Sequence, residues 1–509
     1  MCPIFEAIRS QDFRIQRLFL LDIILKILYF SLVVMAFPDH FYEEPRKALL
    51  PPRHQSNKDE CHFQEKWMYP FWAHQRLKVD FLQTIDGTPI KVLHPGFSNL
   101  ESGPDFKNAF IAIGDNPPRQ CDVELDIDAS NWQQHAHHLN PSFKHVALQV
   151  VWNKPKDFLS ADGRAILHLR EFLDSPLEEL LEWENSDEAN DIPDNTLGKC
   201  ASFFQNFSET ECNSLYKQAA LIRIKSKSLS IAATARIYGW EQALLIHLLR
   251  GLGYKQNAWP MQKLGELMPS LNVPLENMQA LLLGIAGIIP QKLSNSEKDS
   301  YILHLWSVWW RHQSKCTETI FPAGIWNLSG TRPSNHPQRR IALAAHWLID
   351  SSLIQKIEGW ALSDFLTKDS VEKLAKILSP QKKDDFWKYH YTLNSKRLEK
   401  PIPLLGEERV KDLFVNAIAP WFWARTKGNP TRKMENQILE RYFQWPSSGD
   451  NAHLRLALDR FYGNCSPKRL KYAFQQQAVL QINADFCNKT NPCCHHCPLV
   501  DCWQALLKI

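Results

Sequence analysis

Residues 103–152 read GPDFKNAFIAIGDNPPRQCDVELDIDASNWQQHAHHLNPSFKHVALQVVW, and this stretch decides the fold of the N-terminal part of the chain. Ala109 to Ile113 (AFIAI), Val123 to Ile127 (VELDI) and Val146 to Trp152 (VALQVVW) are short runs rich in aliphatic and β-branched residues, which predicts strands. The turn-forming text Gly114-Asp-Asn-Pro-Pro118 separates the first two. A helix-compatible segment, Asn131 to His138, precedes the third. Working outward, Phe81 to Thr84 and Pro89 to Leu93 flank an Asp86-Gly87 turn and predict a hairpin, and Arg164 to Leu169 adds a strand. Residues 61–78 read as a short helix with a Trp/Phe face.

From about residue 176 the period changes to that of helices: LEELLEW, EQALLIHLLRGLG, NMQALLLGIAG, RRIALAAHWLI, VKDLFVNAIAPWFWA and QQQAVLQINADFC. The expected class is α+β, an N-terminal mixed α/β core followed by a larger all-α region that ends in a Cys-rich loop. The expected units are 1–60, 61–175, 176–475 and 476–509. An acidic stretch, Ser186 to Thr196, marks the first junction.

The 509 residues carry 59 Lys+Arg against 55 Asp+Glu, a net +4, so any nucleic-acid footprint must be a local patch. With 44% hydrophobic and 22% charged residues the chain can bury a core and is no disordered tail. No fixed period supports a solenoid or coiled coil. The aromatic groups Trp306, Trp309, Trp310 and Trp421, Phe422, Trp423 read as core packing.

Residues 18–37, LFLLDIILKILYFSLVVMAF, are long enough to cross a bilayer but hold Asp22 and Lys26. Two readings stay open: a membrane anchor flanked by Arg9, Arg14 and Arg17, or a start placed too far upstream of Met35. The ordinary composition downstream points to the cytoplasm. Residues 38–60, rich in Pro and charge, read as a linker.

Glu124 and Asp126 alternate with Val123, Leu125 and Ile127, so the two carboxylates share one strand face. Asp105 follows Gly103-Pro104 at the entrance of another strand. Oxygen donors converging in this way suit a hard divalent cation such as Mg²⁺. The same alternation also fits the solvent face of a half-buried strand. An acid after Gly-Pro, a hairpin, Glu-x-acid, a helix and a further strand resemble the restriction-endonuclease-like nuclease core, which implies metal-dependent phosphodiester hydrolysis. That pattern carries a lysine where Asp126 stands, and Lys144, His135, His137 or His138 are the candidates to substitute.

Twelve cysteines fall into two groups. Cys2, Cys61, Cys121, Cys200, Cys212, Cys316 and Cys465 are dispersed, and five lie between Cys487 and Cys502. Cys487, Cys494, Cys497 and Cys502 give the spacing C-x6-C-x2-C-x4-C, with Cys493 as a competing ligand. Four thiolates at this density suit Zn²⁺ or a 4Fe-4S cluster in a reducing compartment. The segment resembles the iron–sulfur loop of endonuclease III and MutY-type glycosylases, with a last gap one residue shorter. Glycosylase activity does not carry over, because no helix-hairpin-helix text is present. Arg332, Arg339 and Arg340 surround the start of the helix IALAAHWLI and are candidate phosphate ligands. Arg223, Lys225 and Lys227 form a second basic group.

His94 to Ala109 (HPG-x2-N-x3-GPDF-x2-A), LGYKQNAWP (252–260), LLLGIAG (281–287), RPSNHPQRRIA (332–342) and the terminal Cys-x-x-Cys resemble the bacterial family called domain of unknown function 2851. That family brings no activity with it. The sequence departs from the family text at Asp126 (His in the family), Asn131 (Asp) and Gln149 (His). Three functions are weighed: a metal-dependent nuclease-like phosphodiesterase acting on DNA or RNA, a non-catalytic nucleic-acid-binding protein, and a membrane-tethered scaffold.

Overall fold

The structure, a computed structural model, describes residues 41–47, 63, 65–99, 103–155, 164–183, 197–270, 277–293, 299–316, 320–322, 324–363, 369–380, 386–426, 432–449, 452–463, 470–488, 494 and 497–506. The apolar stretch 18–37 and the acidic stretch 186–196 lie outside these. Among the described residues no helix is long and apolar enough to cross a membrane.

The fold is α+β. Six strands, β1 (Ile90–His94), β2 (Phe97–Ser98), β3 (Phe106–Ile113), β4 (Arg119–Asp126), β5 (Val146–Val151) and β6 (Ala165–His168), form one sheet in the order β1-β3-β4-β5-β6, with β2 paired to β3. β1, β3 and β4 run antiparallel, because the turn after Ile113 is too short for anything but a hairpin. β4, β5 and β6 run parallel, since residues 127–145 make a long enough crossover. Within that crossover the predicted helix is shorter than expected. Asn131–Gln134 is helical, Ala136 takes a left-handed φ of 55°, and a 3-10 turn follows at His137–Leu139.

The predicted hairpin before β1 is mostly irregular. Val79–Phe81 is a 3-10 turn with Phe81 72% exposed, and a single bridge joins Gln83 to Pro89. The His94-Pro-Gly text turns the chain from β1 to β2. Gly96 has φ 97°, and a Cβ there would sit 3.0 Å from the Phe106 Cβ, so glycine is required.

Two apolar cores form. Met68, Phe71 and Trp72 of the helix Met68–Ala73 pack with Val123, Leu125, Leu148 and Val150 beneath the sheet. The second core lies among the helices, around the 30-residue helix Glu209–Tyr238, which begins at a Ser208/Glu211 capping box. Trp259 Nε1 donates to Ala73 O at 3.1 Å across the two units.

Two boundaries differ from expectation. Cys487, Leu499 and Trp503 belong to the helical core itself, so residues 476–509 have no separate core among the described residues. Residues 41–47 are no free linker: Tyr42 is buried in that core and Arg46 Nε donates to Asp485 Oδ2 at 3.1 Å. The aromatic groups pack as expected, with Trp309, Trp421 and Phe422 buried and Trp306, Trp310 and Trp423 set against the core.

Candidate functional site

Asp105, directly before β3, bonds to β4 in two places. Its backbone N–H donates to Glu124 Oε2 at 3.1 Å, and its Oδ2 accepts the Leu125 N–H at 2.8 Å. Beside it β3 carries a bulge, where Asn108 has φ 59° and its N–H donates to Asp122 Oδ1 at 3.0 Å. Glu124 and Asp126 are 6% and 1% exposed, while Val123 and Leu125 fill the opposite face of β4. The strand is therefore buried on both faces, and these carboxylates do not form a solvated one.

Neighbouring elements close over the cluster. Gln149, register partner of Glu124 on β5, donates Nε2 to Asp126 Oδ2 at 2.7 Å. Gln149 Oε1 accepts from Arg164 Nη2 at 3.1 Å, and that guanidinium lies 3.8 Å from the Trp132 ring centre. Tyr69, on the helix Met68–Ala73, donates its hydroxyl to Asp105 Oδ1. His137 Nε2 stands 3.2 Å from Glu124 Oε1, with its ring stacked on Phe143 at 4.0 Å. One ligand atom each of Asp126, His135 and His137 lie within 4.8 Å of one another, a set able to hold a metal ion.

The acidic groups raise one another. Burial pushes Asp126 up to about 7, with Asp105 adding repulsion against the Gln149 hydrogen bond and Arg164. Glu65 also reaches about 7, from burial first and then from Asp105 and Asp126. Glu124 is raised by burial and by the Asp105 charge. Asp105 is raised by burial, partly offset by its bonds to Tyr69 and the Leu125 N–H. His137 is held below its ordinary value by burial, His135 and Arg164. A cation at this place would relieve the repulsion among four carboxyl groups.

Spacing along the chain singled out Asp105, Glu124 and Asp126, and the structure brings all three together. Lys144 is placed otherwise. It is exposed at the end of the 3-10 turn Pro141–Phe143, and the cation acting on Asp126 is Arg164. Glu65, Tyr69, Gln149 and Arg164 were not foreseen as part of the cluster, since they come from elements other than β4 and the entrance of β3.

The arginine loop does not present a phosphate grip. Arg339 is 0% exposed and donates to the carbonyls of Trp387, His390 (2.8 Å), Ile402 and Pro403 (2.9 Å). Arg340, 4% exposed, donates to Leu404 O and Asn335 Oδ1. Both guanidinium groups anchor the 386–404 segment, and Arg332 alone of the three is exposed. Arg223 likewise faces inward, its Nε donating to Gln477 Oε1 at 2.9 Å.

The C-terminal cysteines gather around Arg460. Its Nη2 donates to Cys494 Sγ at 3.2 Å, and its side chain also hydrogen-bonds Cys487. Cys487 lies in a π-helical turn, Asn483–Asn488, and Cys497 directly precedes the helix Pro498–Leu506. Cys502 sits inside that last helix, and its charged neighbours are Asp501 and Glu44. Cys493 lies outside the described residues.

Residues 65–451, which carry Asp105, Glu124, Asp126 and Cys200 and stop short of Cys487, match a protein-family model. No curated protein and no solved structure matches the chain. With that match running through both the sheet and most of the helices, the chain belongs to the family described as Protein of unknown function (DUF2851).

Proposed function

We propose that the sheet carries the divalent-cation site of a nuclease-like phosphodiesterase acting on nucleic acid. The observation that carries this reading is the cluster formed by the buried Glu124 and Asp126 and the half-buried Asp105, with His135 and His137 brought to the same place as Asp126. The order of elements supports it: Asp105, the β3–β4 hairpin, Glu124 and Asp126, a short helix and β5 follow one another as in the restriction-endonuclease-like core that the sequence resembles. Asp126, His135 and His137, with Glu124 beside them, would hold the ion. Imidazole in the donor set favours Mn²⁺ or another first-row ion over Mg²⁺. Such an ion supplies Lewis-acid polarisation of a phosphoryl oxygen.

The chain's own residues do the rest. Tyr69 and the Leu125 N–H fix the two Asp105 oxygens, and Gln149 aims Asp126. Burial, with His135 and Arg164, lowers the His137 pKa, which favours the neutral imidazole that can ligate or accept a proton beside Glu124. Arg164, not Lys144, is the cation that acts on Asp126. The purely binding alternative loses its basic loop, since Arg339 and Arg340 are spent on carbonyls.

Cleavage of labelled single- and double-stranded DNA and RNA by the purified full chain in Mn²⁺ tests the proposal. Glu124→Gln and Asp126→Asn should each lower the rate by at least about a hundredfold while binding persists. Cleavage by both variants at the wild-type rate would remove the hydrolase reading.

A further inference from the structure

Cys200 is a dispersed cysteine by sequence, 287 positions before Cys487 by the numbering, yet the fold carries it to the C-terminal cysteines. It stands at the N-cap position of the helix Ala201–Asn206, which packs on the helix Ala452–Tyr462 and on the last helix. The Phe204 ring stacks on Phe461 at 5.0 Å and meets Trp503 edge-on at 5.2 Å. Two residues before Cys200, the Gly198 N–H donates to Arg460 O at 2.9 Å. A Cβ on Gly198 would stand 3.0 Å from Cys200 Sγ and 3.2 Å from Arg460 O, so the sulfur and this residue are immediate neighbours. Arg460 reaches Cys494 and Cys487 with its guanidinium. One residue thus touches the Cys200 turn with its main chain and two other cysteines with its side chain.

Cys497 is an electrostatic neighbour of Cys487 and Cys494. It accepts from the backbone N–H groups of Val500 and Leu499. Cys200, Cys487 and Cys497 are 7–8% exposed. Cys200 is raised first by burial and then by Cys487, Cys497 and Cys494, which places all three within electrostatic reach. The Arg460 guanidinium that bonds Cys494 and Cys487 is itself buried, at 3% exposure. A centre of four thiolates with net negative charge matches that guanidinium.

Spacing separates the two metal classes. Zinc at a Zn–S distance of about 2.3 Å draws its four sulfurs to about 3.8 Å from one another. Among the described residues no three of these sulfurs fall within 4.8 Å of each other. A cube of iron and sulfide holds its ligating thiolates further apart than a single ion does.

We propose that Cys200, Cys487, Cys494 and Cys497 hold an iron–sulfur cluster, and that Cys502 takes no part. The cluster ties the start of the helical region to its end, across the surface where Phe204 meets Trp503. This inference is independent of the nuclease reading, since it uses none of the sheet residues.

The test is anaerobic purification of the full chain, with iron, zinc and acid-labile sulfide measured beside the visible spectrum. Wild type should carry iron and sulfide and absorb broadly near about 400 nm. Cys200→Ser should lower iron and sulfide by at least about tenfold, and Cys502→Ser should leave both unchanged. Full cluster content in Cys200→Ser, its loss in Cys502→Ser, or zinc in place of iron each overturns the proposal. Should Cys200→Ser be insoluble, alkylation of wild type decides. Cys200, Cys487, Cys494 and Cys497 should become reactive together when the iron is chelated, whereas Cys200 remaining unreactive after iron removal in a native-folded sample overturns its assignment.

Discussion

The main-chain N–H of Asp105 donates to Glu124 Oε2 at 3.1 Å, so the two acids are joined through backbone as well as through any shared charge. Because Asp105 Oδ2 in turn takes the Leu125 N–H at 2.8 Å, the start of β3 and the end of β4 fix one another's carboxylates. The strand register thus sets the carboxylates of Asp105 and Glu124 beside each other.

Stability without a cation should therefore fall as pH rises. Glu65 and Asp126 are each pushed up to about 7 by burial and neighbouring charge, whereas in the unfolded chain both titrate near about 4. Between those values the native state holds protons that the unfolded chain has released. Their contribution is complete below about pH 4 and is lost as pH rises through 7. Melting temperature of the cation-free protein should decline from about pH 5 to about pH 8, and Mn²⁺ should restore it. Asp126→Asn should flatten the slope. A profile that rises over the same interval contradicts the cluster.

Arg339 and Arg332 should behave as opposites. Removing the guanidinium that binds the carbonyls of Trp387, His390, Ile402 and Pro403 leaves several buried acceptors unmatched. Arg339→Met should cost at least about 3 kcal/mol in urea unfolding. Arg332→Ala, at an exposed position, should stay within about 0.5 kcal/mol. Equal, small effects from both would restore the loop as a phosphate-binding candidate.

These contrasts show what the sequence made legible. The strands β3, β4 and β5 follow from local alternation, and so do Glu124 and Asp126, because a two-residue period puts them on one face wherever the strand goes. Whether that face is wet or buried depends on Tyr69, Gln149 and Arg164, which arrive from other elements and leave no mark on the local pattern. Arg339 and Arg340 misled for the same reason. A basic run beside a helix start reads identically whether phosphate or the carbonyls of a distant segment satisfy it. The cysteine spacing pointed to Cys502 because it lies near in sequence, while Cys200 lies near in space.

Gly284 gives a direct check on helical packing. Its text, LLLGIAG, announced a helix but not why glycine interrupts it. In the structure a Cβ at Gly284 would stand 2.1 Å from the Trp309 ring, and Trp309 is 3% exposed. Gly284→Ala must displace a buried indole despite its better helix propensity, and should destabilise by about 1–3 kcal/mol or more. Gain of stability would mean that the two helices do not meet at this glycine.

Asp485 joins the segment 41–47 to the C-terminal turn. It sits in the π-helical turn that carries Cys487, and its Oδ2 accepts from Tyr42 at 2.8 Å, Arg46 at 3.1 Å and Gln481 at 2.9 Å. Tyr42 and Arg46 are buried, so the segment 41–47 is held by polar bonds inside an apolar core. Asp485→Ala removes the carboxylate facing a buried guanidinium and should cost about 3–5 kcal/mol. Tyr42→Phe keeps the ring and loses one bond, at about 1 kcal/mol. Limited proteolysis distinguishes local from global effects. Asp485→Ala should expose cleavage at Arg46 and Lys47 under conditions where wild type and Tyr42→Phe resist. If all three are cut at one rate, these residues do not dock on the C-terminal turn, and its geometry around Cys487 must be fixed from the helical side alone.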